Sequence, residues 1–443
     1  MPNDPKLSLI RTQMPFSRGF GNVNASYTFS TLWALDGHFD LVRLVYPSLA
    51  TSAATIDAAA IAPSARIGDG YSPTDAAGSA VAFTPVTFGA AAGTPTYAPG
   101  GSATGTIPAS DGTTPAYCFS DWMRVPSLER LDEGSDGRPL LMARTHFSGS
   151  AGSAPNSASL ASGWPAQDGG RLLRSYYKSG TAVVSGFTNP IGPNNWIIPG
   201  ALQFYTRGAG ITVLSVGDSL TQGQDVSTSE FWAPGHFATL RLSSLRRPVS
   251  FVNAAQSGFT SDAYAARGRD AIDKFLPEVV TISVWSPNDP KTQADADAAF
   301  SRALALAEYA RSKGAVPILT TAVPFQLPAS TDAYRVGINN RARRMAADGT
   351  ILLADFDAAV ADPTDATLPR PEYRAASGAH LSAAGYRRCG EALERVLARL
   401  IGRVGADAPV ILPKRGVPAE NSRTGLPWLH KPSHERFGTL PTI

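Results

Sequence analysis

From Ile211 onward the chain repeats one grammar, a short apolar run followed by an amphipathic stretch, and this alternation limits the available folds more than any other feature. The apolar runs are Ile211–Val216, Val249–Asn253, Val279–Val284, Pro317–Ala322 and Ile351–Ala354, each with the length and residue types of a buried strand. Between them, Asp295–Lys313 carries Phe300, Ala303, Leu304, Ala307 and Ala310 at steps of three and four, and Gly314 is a natural C-terminal stop. Leu381–Ile401 aligns Cys389, Leu393, Val396 and Leu400 on one helical face behind a capping residue, Ser382. Strands alternating with helices predict an α/β domain: a parallel sheet with right-handed crossovers and helices on both faces. Such a sheet binds ligands at the carboxyl ends of its strands.

Before about residue 205 the grammar is different. Gly, Ala, Ser, Thr and Pro dominate, and short strand-like segments recur at Asp40–Tyr46, Ala80–Phe88, Tyr117–Val125 and Pro139–Phe147. Short β segments separated by turn residues, with almost no helical period, predict an all-β sandwich or jelly roll. The stretch from Ser148 to Gly169 reads as an exposed loop, and the Ala-rich piece Thr51–Ala65 as a loop or a short helix. The expected domains are therefore residues 1–205, β-rich and suited to carbohydrate binding or to shaping a substrate site; residues 206–404, α/β; and residues 405–443, a Pro-rich tail that packs along the surface or stays mobile.

Charge and composition remove several classes of function. The 39 Lys+Arg against 36 Asp+Glu leave a formal net charge of +3, without a basic run interleaved with aromatics, so no nucleic-acid partner is expected. Cys118 and Cys389 are too few for a disulfide framework or a thiolate zinc site; they read as two free thiols or, failing that, one bridge. No apolar stretch reaches the ~20 residues that cross a bilayer, so no membrane span is expected. Met1–Met14 lacks the apolar core of a secretory signal; if this start is the natural one, the expected location is cytoplasmic or leaderless. Oligomeric state is not written in the sequence.

The chemistry concentrates in Val216–Gly223 (VGDSLTQG), directly after the first apolar strand. A serine there is exposed where an α/β sheet binds ligands, and the adjacent glycines permit a tight turn. It is not the GxSxG elbow, since Asp218 precedes Ser219 and Leu220 follows it. Alone, GDS fits an ordinary strand-to-loop turn. Three further segments follow in order: Asn253–Gly258 (NAAQSG), Ser286–Asp289 (SPND) and His380–Tyr386 (HLSAAGY). Together these blocks resemble the GDSL, or SGNH, hydrolases over roughly Ile211 to Ile401.

The resemblance implies a three-layer flavodoxin-like sheet and a serine ester hydrolase working through an acyl-enzyme, with no metal or organic cofactor. It implies Ser219 as nucleophile and His380 as general base. It also implies that the backbone N–H of Ser219, the N–H of Gly258 and the side-chain amide of Asn288 donate to the oxyanion. These residue types suit the chemistry, because a serine hydroxyl is a poor nucleophile until a base takes its proton. Imidazole, with an ordinary pKa near ~6.5, can do so and later protonate the leaving group.

Two positions depart from the family pattern. The Asp usually found three residues before the His is Ser377 here, so a Ser/His dyad is expected, with a backbone carbonyl, the Ser377 hydroxyl or Glu372 orienting the imidazole. Ser286 stands where the family has Gly, so its turn must avoid a glycine-only conformation or accept strain. Trp285 beside it lines the substrate pocket or sits in the core. His38, His146, His236, His430 and His434 have no such context and read as surface or packing residues. The expected substrates are short-chain acyl esters, with O-acetyl groups of a carbohydrate as the narrower reading. The alternatives are a lipase or thioesterase acting on longer chains, and a non-catalytic glycan-binding or structural protein with a degenerate hydrolase domain.

Overall fold

The computed structural model describes residues 10–14, 26–48, 50–89, 101–131, 137–147, 171–192, 198–206, 210–224, 233–245, 247–325, 327–378 and 380–403. The loop expected at 148–169 and the tail at 405–443 lie largely or wholly outside them, as do His430 and His434.

The N-terminal part is a separate antiparallel β-rich region. Its strands are β1 (Ile10–Gln13), β2 (Tyr27–Ala34), β3 (Phe39–Ser48), β4 (Ala54–Ile56), β5 (Ala58–Ser64), β6 (Thr84–Val86), β7 (Gly105–Ile107), β8 (Ala116–Phe119), β9 (Leu140–Phe147), β10 (Leu172–Ser179) and β11 (Ala201–Thr206). One sheet runs in the order β1-β11-β3-β8 and a second in the order β10-β2-β9-β5-β6, with β4 paired to β7. Alternation along the strands explains the sandwich: Val42, Leu44 and Tyr46 of β3 and Leu202 and Phe204 of β11 meet Phe29 and Trp33 of β2 and Leu141 and Ala143 of β9 in one core between the sheets. The Ala-rich piece read as a loop or helix is instead strands β4 and β5. Alanine's helical preference loses to tertiary context here, because β5 is an interior strand buried on both faces: Ala59 and Ile61 face one core, Ala60 and Ala62 another.

The C-terminal part contains β12 (Ile211–Val216), α1 (Ser219–Gln222), α2 (Pro234–Leu242), β13 (Val249–Asn253), α3 (Ser261–Phe275), β14 (Val279–Ser283), α4 (Gln293–Ser312), β15 (Val316–Thr320), α5 (Ala329–Ala347), β16 (Leu352–Ala354), α6 (Phe356–Val360) and α7 (Ala383–Arg403). The strands form a five-stranded sheet in the order β13-β12-β14-β15-β16, parallel throughout. Its strands are buried on both faces. Leu214, Val216, Val280 and Ile282 pack under α3, α4 and α5, whereas Ile211, Val213 and Val279 pack under α2, α6 and α7. This is the predicted three-layer flavodoxin-like arrangement, and its strand order puts the topological switch at β12, the strand that delivers Ser219. The expected stop of α4 at Gly314 holds, with a left-handed φ of 84°; at its start Thr292 caps the helix, its hydroxyl accepting from Asp295 N–H.

The two parts share a core. Val45 of β3 and Ala201 of β11 face away from the sandwich interior and join Met14, Leu214 and Val252. Met14 bridges Val252 in parallel, so the chain beyond β1 extends the edge of the sheet at β13. Buried charges cross the junction: Arg11 Nη1 lies 2.8 Å from Glu278 Oε2, the same oxygen that accepts from Thr212 N–H at 2.6 Å. On the other flank, Arg171 Nε donates to Asp36 at 2.7 Å and its Nη2 to the Val249 carbonyl at 2.7 Å.

Candidate active site

The turn after β12 is built around Asp218 and two glycines. The Asp218 carboxylate accepts from Leu220 N–H at 2.9 Å, which caps the single turn α1 and starts it at Ser219. A side chain on Gly217 would put Cβ 2.1 Å from the Thr221 hydroxyl, so glycine is required there. Gly223 ends the turn with a φ of 82°, and its N–H donates to the Ser219 carbonyl. Asp218 is buried, and that burial raises its pKa, opposed by its polar neighbours, the Leu220 and Thr221 N–H groups among them.

His380 arrives from the opposite end of the domain, in the loop that leads into α7. Its carbonyl accepts from Ala375 N–H, Arg374 bridges Leu381, and Ser382 N–H donates to the Tyr373 carbonyl, so both sides of the residue are tied down. Phe325 meets the ring edge-on at 6.1 Å between centroids. The result is a contact of 2.9 Å between His380 Nε2 and Ser219 Oγ, across 161 sequence positions. With the ring proton on Nδ1, Nε2 is the acceptor, and such an imidazole can take the hydroxyl proton.

Gly258 lies in the turn between β13 and α3 with a φ of 81°, exposed and open to solvent. The two residues before it fasten this turn to the serine turn. Gln256 N–H donates to the Gly217 carbonyl at 3.1 Å, and Ser257 N–H donates to the Gln222 side-chain oxygen at 2.7 Å. Asn288, also exposed, donates through Nδ2 to the Phe259 carbonyl at 3.1 Å and to the Ser286 hydroxyl at 3.2 Å. Asp289 stitches the same turns together, its oxygens accepting from Ser261 N–H at 2.7 Å and Ser286 N–H at 3.1 Å. Ser219, His380, Gly258 and Asn288 thus sit on connected turns at the carboxyl edge of the sheet.

The remaining expected residues are placed as follows. Ser286 is fully buried and adopts no left-handed conformation, so the turn keeps an ordinary backbone without glycine. Ser377 is exposed in the turn before His380. Glu372 is exposed in the 3-10 turn Pro371–Tyr373, where its backbone carbonyl accepts from the Ser382 hydroxyl at 2.8 Å. Trp285 belongs to the core, with the Lys291 ammonium 5.2 Å from its ring centroid. Cys118 and Cys389 are both free and buried. Sequence reasoning missed Gln222 and Asp289 as organisers of the site, since polar side chains that bond loop backbones follow no spacing rule.

Among the described residues no helix is long and apolar enough to cross a membrane. Comparison with curated proteins finds no match. Among solved structures, the chain is similar to a GDSL-like lipase from Bacteroides thetaiotaomicron (20% identity over 44% of this chain and 88% of that one, TM-score 0.33). It is also similar to a family 3 carbohydrate esterase from Clostridium thermocellum (16%, over 44% and 100%, TM-score 0.34). A third is a member of the lipolytic protein G-D-S-L family from Veillonella parvula (17%, over 42% and 98%, TM-score 0.33). Residues 215–388 match the model of the GDSL-like Lipase/Acylhydrolase family, a span that begins in β12 and ends in α7. Residues 215–388 therefore carry a GDSL-like lipase/acylhydrolase domain, the domain of a carboxylic ester hydrolase.

Proposed function

We propose that the chain hydrolyses short-chain acyl esters, O-acetyl groups on a carbohydrate among them, through an acyl-enzyme on Ser219. The observation that carries this reading is the 2.9 Å contact between Ser219 Oγ and His380 Nε2. Ser219 Oγ attacks the ester carbonyl carbon while His380 Nε2 takes its proton, and the carbonyl π pair moves onto oxygen. Collapse of the tetrahedral intermediate expels the alcohol, which leaves with the proton from the imidazolium. Water then repeats the sequence on the acyl-enzyme, releasing the acid and restoring the hydroxyl.

The oxyanion donors in this reading are Ser219 N–H, Gly258 N–H and Asn288 Nδ2, each worth roughly 3 to 4 kcal/mol when aimed at the developing charge. One feature supports a small acyl group on a bulky polar alcohol. Gly258 and Asn288 are exposed at the rim, which leaves the alcohol side in solvent. His380 works as a dyad base, oriented by Ser377 or a nearby carbonyl, with Glu372 as the alternative. We assign residues 1–205 to a domain that binds or shapes the substrate, 206–404 to the hydrolase and 405–443 to a tail. The test is a series of p-nitrophenyl esters of increasing chain length beside acetylated oligosaccharides. Release is expected to be fastest for acetyl and to vanish in Ser219→Ala; a maximum at eight carbons or longer would transfer the assignment to a lipase or thioesterase.

A further inference from the structure

Ser286 is the position where this chain departs from the family's glycine without strain, and its hydroxyl lies where the turns carrying the candidate oxyanion donors meet. Oγ donates to the Phe259 carbonyl at 2.9 Å, one residue beyond Gly258. It accepts from Asn288 N–H at 3.1 Å and from Asn288 Nδ2 at 3.2 Å. Its own backbone N–H is held by Asp289, and the residue is fully buried. Phe259 O can only accept, so the atom of the Asn288 amide that faces it is Nδ2 and not Oδ1. Nδ2 therefore has two resting acceptors before substrate binds, a carbonyl and a neutral hydroxyl.

We propose that Ser286 is a positioning residue for ester hydrolysis: its hydroxyl is the resting acceptor that holds the Asn288 amide in the orientation the oxyanion requires, and yields that hydrogen when the oxyanion forms. The exchange is favourable because a charged acceptor forms a shorter and roughly twice stronger bond than a neutral hydroxyl at 3.2 Å. The contact of Nδ2 with the Phe259 carbonyl persists, so the amide plane does not turn. A glycine cannot supply this acceptor, and the amide would then depend on the Phe259 contact alone. The proposal rests on the reading of Asn288 as an oxyanion donor.

The test is a double-mutant cycle on the full chain. Ser286→Ala and Ser286→Gly are each combined with Asn288→Ala, and kcat and KM are measured on p-nitrophenyl acetate beside the thermal midpoint. Asn288→Ala is expected to lower kcat by about 10²–10³. Each Ser286 variant is expected to lower kcat about tenfold with KM within about twofold, and to have no further effect in the Asn288→Ala background. Ser286→Gly carries the family's own residue and keeps the test available if Ser286→Ala does not fold. Unchanged kcat in Ser286→Gly, or losses that multiply with those of Asn288→Ala, would overturn the positioning role while leaving Asn288 a donor. An Asn288→Ala enzyme with wild-type kcat would instead remove the reading beneath it.

Discussion

The Arg11–Glu278 pair offers a quantitative handle on how the sandwich and the hydrolase sheet hold together. Arg11 is 0% exposed and Glu278 6%, so water screens neither charge. Glu278→Gln keeps the shape of the side chain and an acceptor for Thr212 N–H, but removes the negative charge facing the guanidinium. Breaking a buried pair from one side costs about 3–5 kcal/mol, because the other charge stays desolvated. At the lower figure the ratio of folded to unfolded protein falls by about two orders of magnitude. With a urea slope of about 3 kcal/mol per molar, the midpoint should drop by about 1 M or more. Urea titration followed by tryptophan fluorescence and far-UV circular dichroism is the assay, and both probes should shift together, since Arg11 lies on β1 and Glu278 precedes β14. Removing both charges while keeping the acceptor for Thr212 N–H, as in Arg11→Met with Glu278→Gln, should recover most of the loss. A midpoint within about 0.2 M of wild type for Glu278→Gln would refute the view that this pair is desolvated and couples the two parts.

Two further outcomes follow from single positions. His236 is buried, and burial together with Arg171 and Arg138 holds its pKa well below the ordinary value, so the folded state leaves it neutral. The unfolded chain binds a proton there below pH ~6.5 and the folded one does not, so stability is fully present above that pH and is lost as pH falls, by at most ~1.4 kcal/mol per pH unit. His236→Gln should flatten the dependence of the thermal midpoint on pH between about 6.5 and 5; parallel curves for the two proteins would contradict this. Gly258→Ala meets no neighbour but places a Cβ on a φ of 81°, so it should cost about 1–2 kcal/mol of stability and lower kcat about tenfold by shifting the N–H. Wild-type kcat in that variant would show that the turn does not aim the donor.

The α/β half was legible because its signal is periodic. Apolar runs such as Val249–Asn253 became strands with the same limits, and the stop at Gly314 ended α4 as read. The sandwich was legible as a class but not element by element. Ala54–Ser64 is β-structure only because its flat alanine faces fit between two cores, a fact about neighbours distant in sequence. At the site, Ser219 and His380 are marked by blocks of fixed order, and the chain brings them together. The bonds that hold the site were invisible for a different reason. Gln222 holding the turn before Gly258, Asp289 reaching Ser261 and Ser286 reaching Phe259 depend on side chains that bond the backbone of another loop, and no local pattern records such a bond.

Ser219 and His380 should act as one nucleophilic unit, and every catalytic step above depends on it. Treating the full chain with a fluorophosphonate and mapping the modified peptide by mass spectrometry tests this most directly. The expected result is a single phosphonyl adduct on Ser219, absent in Ser219→Ala and formed at least about a hundredfold more slowly in His380→Ala. A folded protein that stays unmodified, or that is labelled at Ser219 at the same rate without His380, would contradict it.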